Sequence, residues 1–273
     1  MSGPTFNISR RGLLAGGLLA AVTPLAAPAV AAAATTSTWM AYEAKLRARL
    51  ADAGGGVFET AFAQDLLAQV NAFRRNRRLP ALRWDEGLAT CARAHAADMA
   101  RGGYFAHESQ EGFTHVDRAA LLTRDLCGAM TENLAWREHT QRSTPRDMEE
   151  LWENSPGHRE NLLDPKATHA GYGVVRVRGA YHAVGVYADA EVRLASPLPL
   201  RLKAGATLAS TLAGAAPQIE RLAVTAPGRD PTQLAPPLNQ APPLRPGVWQ
   251  LRPMLSHGGP TFNVLSGPVI FVG

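Results

Sequence analysis

The spacing of apolar residues along the chain predicts helices in its first two thirds. A short amphipathic stretch from Met40 to Leu50 is followed by a spacer, Gly54-Gly55-Gly56. Phe62, Leu66, Val70 and Phe73 then recur at intervals of four, four and three residues, the signature of a helix with one buried face. Leu79-Pro80 ends it. Asp85 is placed to cap a second helix whose inner face carries Leu88, Cys91, His95 and Met99, and Gly102-Gly103 stops that helix. A third runs from Thr144 or Pro145 to Trp152, with Thr144 as N-cap, Pro145 in the first turn and Asp147 at the positive end; Pro156-Gly157 is read as its break.

The pattern then changes period. Tyr172–Arg178 and Tyr181–Tyr187 are β-prone runs around Gly179 and predict a hairpin. Helices followed by an antiparallel hairpin argue for an α+β layered domain over residues 59–190, preceded by a segment at 35–58. Beyond Ala190, seven prolines fall between Pro227 and Pro246, among short β-like runs at 219–224, 248–251, 261–265 and 269–272. Residues 191–273 are therefore expected to form a small β-rich appendage with a proline-rich loop. No repeat of 20 to 50 residues is present.

Composition narrows the class. Of 273 residues, 46% are hydrophobic and 19% charged, which fits a packed globule and excludes a disordered polyelectrolyte. The formal charge is +5. The densest basic cluster, Arg74, Arg75, Arg77 and Arg78, has no interleaved aromatics and reads as a solvated helix end, so no nucleic-acid partner is expected. Residues 1–34 look like an address. Ser9-Arg10-Arg11 opens an apolar run from Leu13 to about Val22, and Ala29-Val30-Ala31 offers a small-residue cleavage site. The paired arginines resemble a twin-arginine export signal. Pro24 and Pro28 interrupt the stretch that an uncleaved membrane anchor would need. The expected location is periplasmic or extracellular, with membrane contact only through the signal.

Two cysteines in an exported chain allow two readings. A Cys91–Cys127 disulfide would stabilise the fold by about 3–4 kcal/mol. Alternatively, Cys91 is a small core residue and Cys127 is unrelated to it.

The polar groups in or beside the breaks between elements are His107, His115, Glu132, Asn133, Glu149, Glu150, Ser155 and His158. The chain has no H-E-x-x-H, G-x-S-x-G, Gly-rich phosphate loop or C-x-x-C pair. Four segments in order are more telling: Tyr104-Phe105-Ala106-His107, Thr131-Glu132-Asn133-Leu134-Ala135-Trp136, Trp152-Glu153-Asn154-Ser155-Pro156-Gly157-His158-Arg159-Glu160-Asn161-Leu162-Leu163, and Gly171-Tyr172-Gly173. Together they resemble the CAP superfamily (cysteine-rich secretory, antigen-five and pathogenesis-related proteins, or SCP domains), in its bacterial secreted branch, over about residues 62–189.

That resemblance implies an α-β-α sandwich around a small antiparallel sheet, with a cleft of two histidines and two glutamates that in some members binds zinc or another divalent ion. His107 matches the first histidine, Glu132 the first glutamate and His158 the second histidine. Ser155 stands where the second glutamate is expected, and Thr131 where a glycine is. Three ligands, His107, Glu132 and His158, would leave one position open for water or substrate. The plainer reading has His107 and Glu132 hydrogen-bonded to pin loops, with His158 capping a turn.

Around these, His95 reads as a core histidine and His115 as a solvated loop residue or a fourth metal contact. Asp117-Arg118 reads as a loop-fixing ion pair. Trp136 and Trp152 are packing residues or a cleft floor, and Asn133 ties down backbone. Glu149 or Glu150 is a candidate to replace the missing glutamate. The expected function is binding of an envelope or extracellular ligand through the His/Glu cleft and the appended β module. The alternative is a metal-assisted hydrolase using His107, Glu132 and His158; apolar ligand transport has little support in the sequence.

Overall fold

The computed structural model describes residues 35–138, 143–256 and 261–273; the export pattern of 1–34 lies outside them. Six helices build the first part: α1 (Thr36–Asp52), α2 (Thr60–Arg75), α3 (Glu86–Gly102), α4 (His115–Leu122), α5 (Pro145–Asn154) and α6 (Pro156–Leu163). They enclose a sheet of β1 (Val57–Phe58), β2 (Arg83–Trp84), β3 (Leu126–Arg137), β4 (His169–Val177) and β5 (Ala180–Arg193). The strand order is β1-β4-β5-β3, with β2 alongside β4, so β3 lies at an edge. No helix among the described residues is long and apolar enough to cross a membrane.

Period-2 alternation divides the sheet residues between two cores. Ala170, Tyr172 and Val174 of β4, with Tyr181, Ala183 and Tyr187 of β5, pack under α2, α5 and α6. Val175, Val184, Val186 and Ala188 face α3 on the other side. This is the α-β-α layering of an α+β fold. On the α3 face, β4 places Gly171 and Gly173, where an added Cβ would lie 2.0 Å from the Ala89 nitrogen and 2.2 Å from the Arg93 nitrogen. The helix backbone lies directly on the strand there, and only glycine permits that approach. The hairpin turns at Arg178-Gly179, with φ of 48° and 82°, the mirror-image turn that suits the twist of paired strands.

Local signals account for the helix ends. Asp85 accepts from the Leu88 N–H at 2.9 Å, and α3 ends on Gly103 with φ 64°. Thr144 and Asp147 form a reciprocal capping box before Pro145. Two expectations change. Pro156-Gly157 ends α5 but also begins α6, because proline is well suited to the first helical position. His115 is the first residue of α4, behind a capping box of Thr114 and Asp117, and does not lie in a loop.

The C-terminal part is β-rich, as its composition suggests. Strands β6 (Arg201–Leu202), β7 (Arg221–Thr225), β8 (Gly247–Ser256), β9 (Phe262–Val264) and β10 (Val269–Val272) form a second sheet, ordered β6-β10-β8-β7 with β9 on β8. It is joined to the first part by shared cores. Cys127, Val192 and Leu194 pack with Leu251 and Ile270, while Trp39, Tyr42 and Phe113 pack with Val269 and Phe271. Arg124 donates to the carbonyls of Leu198 (3.0 Å) and Val269 (2.7 Å), and the Gly128 N–H to Ser266 (2.9 Å).

Cys91 and Cys127 are both buried and free, each in a different core. The disulfide reading is thus corrected, and Cys91 is the small core residue of the alternative. Burial pushes both thiols up to about 12.

Candidate ligand-binding cleft

The candidate residues gather around the free edge of β3. Alternation sends Glu132 to the α3 face and Asn133 to the α6 face, so the two sides of this strand organise different halves of the site. Glu132 is buried, and its partner is Arg118 of α4, itself fully buried. One guanidinium nitrogen of Arg118 (Nη2) donates to Glu132 Oε2 at 2.8 Å and Oε1 at 3.1 Å, and to the His107 carbonyl at 2.8 Å. The other terminal nitrogen, Nη1, donates to the Phe113 carbonyl at 3.2 Å. Burial by itself would raise the Glu132 pKa; the Arg118 charge, helped by the His107 hydrogen bond, outweighs it and holds the carboxyl down at about 2.

His107 approaches this carboxylate from the loop after α3. Its Nδ1 lies 3.0 Å from Glu132 Oε1, while its side chain stays 52% exposed. An ionised carboxylate only accepts, so Nδ1 carries the proton and donates, and Nε2 has no partner among the described residues. Two further histidines close the network. His95 bonds the Ala106 carbonyl through Nε2 at 2.9 Å, and burial followed by the Arg118 charge lowers its pKa to about 4. It is the core histidine that the sequence suggests. His115 donates from Nε2 to the Met130 carbonyl at 3.1 Å, and burial lowers its pKa too.

On the other face, the start of α6 is fastened to β3. Asn133 Nδ2 donates to the His158 carbonyl at 3.0 Å. Asn161 Nδ2 donates to Asn133 Oδ1 at 2.8 Å and to the Glu132 carbonyl at 3.2 Å. Asn133 therefore ties down backbone. The His158 ring is half-buried, and its Nδ1 has no partner among the described residues. Burial and then the nearby His107 charge lower its pKa, so the two imidazoles share one electrostatic environment.

The remaining candidates do not join them. Ser155 sits at the α5–α6 junction, and its hydroxyl makes no hydrogen bond among the described residues. Trp152 is a core residue stacked near Tyr172, and Trp136 is exposed. Glu149 is buried beneath α5 and Glu150 lies outside, both paired with Arg146. Neither takes the place of the missing glutamate beside His107 or His158. The Asp117–Arg118 pair is also corrected, since Asp117 belongs to the Thr114 cap and Arg118 turns inward to Glu132. Arg118 is the residue that sequence reasoning missed. Its signal was the capping box Thr114-x-x-Asp117, which starts a helix and fixes the direction of the next side chain.

The metal implied by the resemblance does not fit this donor set. Both Glu132 oxygens already accept from Arg118 and one also from His107, so a dication there would sit beside a buried guanidinium. Among the described residues, no three His, Cys, Asp or Glu side chains are grouped so as to hold a metal ion.

Residues 67–187 match the cysteine-rich secretory protein (CAP) family. The likeness to that family is thus confined to this stretch, which holds α3 to α6, strands β2 to β4 and most of β5. The chain is 33% identical over 118 residues to the uncharacterized protein YkwD of Bacillus subtilis (strain 168), covering 42% of this chain and 43% of that protein. It is 34% identical over 118 residues to the uncharacterized membrane protein YlbC of the same strain, covering 43% and 33%. The match thus spans less than half the length of either relative. A solved extracellular protein containing a SCP domain, from Bacillus anthracis str. Ames, is 30% identical with a TM-score of 0.41, covering 48% of this chain and 41% of that one.

Proposed function

We propose that this is an exported CAP-domain protein that acts by binding a ligand of the envelope or extracellular space in the cleft between His107 and His158. The observation that carries this reading is the half-exposed His107 ring, fixed through Nδ1 by the buried Glu132–Arg118 pair and leaving Nε2 without a partner among the described residues. Such a ring offers one free ring nitrogen for hydrogen bonding on supports that are already rigid, which lowers the ordering cost of binding. The Asn133–Asn161 clamp holds the opposite wall, with His158, in place. The export pattern of residues 1–34 supports a location outside the cytoplasm. Binding is favoured over metal-assisted hydrolysis because Glu132 is committed to Arg118 and the Ser155 hydroxyl is engaged with neither histidine.

Co-sedimentation of the purified protein with isolated bacterial envelopes tests this. The wild type should pellet with the envelopes, and His107→Ala with His158→Ala should reduce the bound fraction about tenfold at unchanged circular dichroism. Equal pelleting of the double variant, or release of hydrolysis products that stops in that variant, would overturn the proposal.

A further inference from the structure

The proline-rich loop of the C-terminal module encloses a groove of about 450 Å³ against the edge of β7. The loop is well anchored. The Leu222 N–H donates to the Pro236 carbonyl and the Leu238 N–H to the Glu220 carbonyl, which seats the returning chain on the strand. The Thr225 hydroxyl donates to the Arg229 carbonyl at 2.8 Å, and the Gly228 N–H to Gln250 Oε1 at 3.1 Å. At the other lip, Leu244 exchanges backbone hydrogen bonds with Gly205 and Ala206. A groove held in this way exists before any ligand arrives.

Its lining combines two chemistries. Arg229 and Arg245 are exposed, and neither guanidinium has an ion-pair or hydrogen-bond partner among the described residues. Asp230 is the carboxylate of the groove, and it is already paired with Arg252. The free charge is therefore positive. Apolar surfaces, the half-buried Trp249 and the exposed Leu234, share the lining with the arginines. The Trp249 indole N–H donates to the Arg245 carbonyl at 2.8 Å, so the ring offers an apolar surface without a free donor. The same bond fixes the backbone that carries Arg245. The walls at Pro231, Pro236, Pro242 and Pro243 have no amide hydrogen, which makes them poor partners for an added peptide strand.

From these features we infer that the groove binds an anionic glycan, a sugar chain bearing carboxylates or phosphates. Its acidic groups pair with Arg229 and Arg245, and the apolar face of a sugar ring lies against Trp249. Guanidinium forks suit both kinds of anion. The groove belongs to a different sheet from the His107 cleft, and its ligand does not depend on how that cleft is used.

Calorimetric titration of the full chain tests the assignment, with galacturonate oligomers, phosphomannan oligosaccharides, neutral maltohexaose and hexaglutamate as probes. At least one acidic glycan should bind, and the tighter of the two identifies the anion as carboxylate or phosphate. Arg229→Gln with Arg245→Gln, both at exposed positions, should weaken it at least tenfold, whereas His107→Ala should leave it unchanged. The inference is overturned if neither acidic glycan binds, if maltohexaose or hexaglutamate binds as tightly, if the arginine variant keeps its affinity, or if His107→Ala abolishes binding.

Discussion

Arg118 Nη2 lies 2.8 Å from Glu132 Oε2, with both side chains fully excluded from solvent. Thirteen residues of α4, loop and strand separate these groups in the sequence, yet their pairing orients the His107 ring. Breaking a buried pair strands the remaining charge, at a cost of about 3–5 kcal/mol, whereas replacing both partners with neutral groups of similar size costs much less. Glu132→Gln should therefore destabilise the protein strongly in urea unfolding, and addition of Arg118→Met should recover a large part of the loss.

Acid should weaken the fold through the same carboxyl. Its pKa is about 2 in the folded chain against an ordinary 4.5, so folding favours the ionised form. The resulting stability, about 3 kcal/mol, is fully present above pH 4.5 and is lost as the pH falls toward 2. Glu132→Gln should flatten this part of the stability curve when the midpoint of urea unfolding is followed between pH 5 and pH 2.

Glu149 should behave in the opposite sense. Burial first, then the neighbouring Glu153, pushes its carboxyl up to about 8, and its Oε1 has no partner among the described residues. Here folding favours the protonated form. The contribution is full below pH 4.5 and is lost as the pH rises through 8. Glu149→Gln, which mimics the protonated acid, should raise the melting temperature by about 2–4 °C at pH 9. That gain should vanish below pH 5.

The thiols supply a covalent check. Cys91 and Cys127 are free and buried, with both pKa values near 12, so few thiolates exist at neutral pH. A thiol-reactive chromophore should label no cysteine in the folded protein and two after denaturation. A reductant should leave the melting temperature unchanged.

Much of this molecule is legible in its sequence because local chemistry decides it. The four-four-three spacing from Phe62 to Phe73, the Asp85 cap and the Gly179 turn all specify their elements within a few residues. The motif segments likewise single out His107 and Glu132, whose side chains meet at 3.0 Å, and His158, whose carbonyl accepts from Asn133. What escapes is set at long range. The β3 strand, at Leu126–Arg137, mixes small, polar and apolar residues because its two faces serve a core and a site at once. Arg118 looks like half of a surface ion pair with Asp117 until the Thr114 cap claims that aspartate. The attachment of the second sheet depends on Trp39, Tyr42 and Phe113 meeting Val269 and Phe271, a contact that no local pattern encodes.

The central claim is that Arg118 serves as the resident cation of the Glu132 carboxylate and leaves the His107 ring half exposed to solvent. Zinc titration of untagged protein at pH 7, followed by calorimetry, tests it most directly. The expected result is no stoichiometric uptake at sub-micromolar affinity. One zinc ion bound per chain at that affinity, and lost in both His107→Ala and His158→Ala, would contradict it.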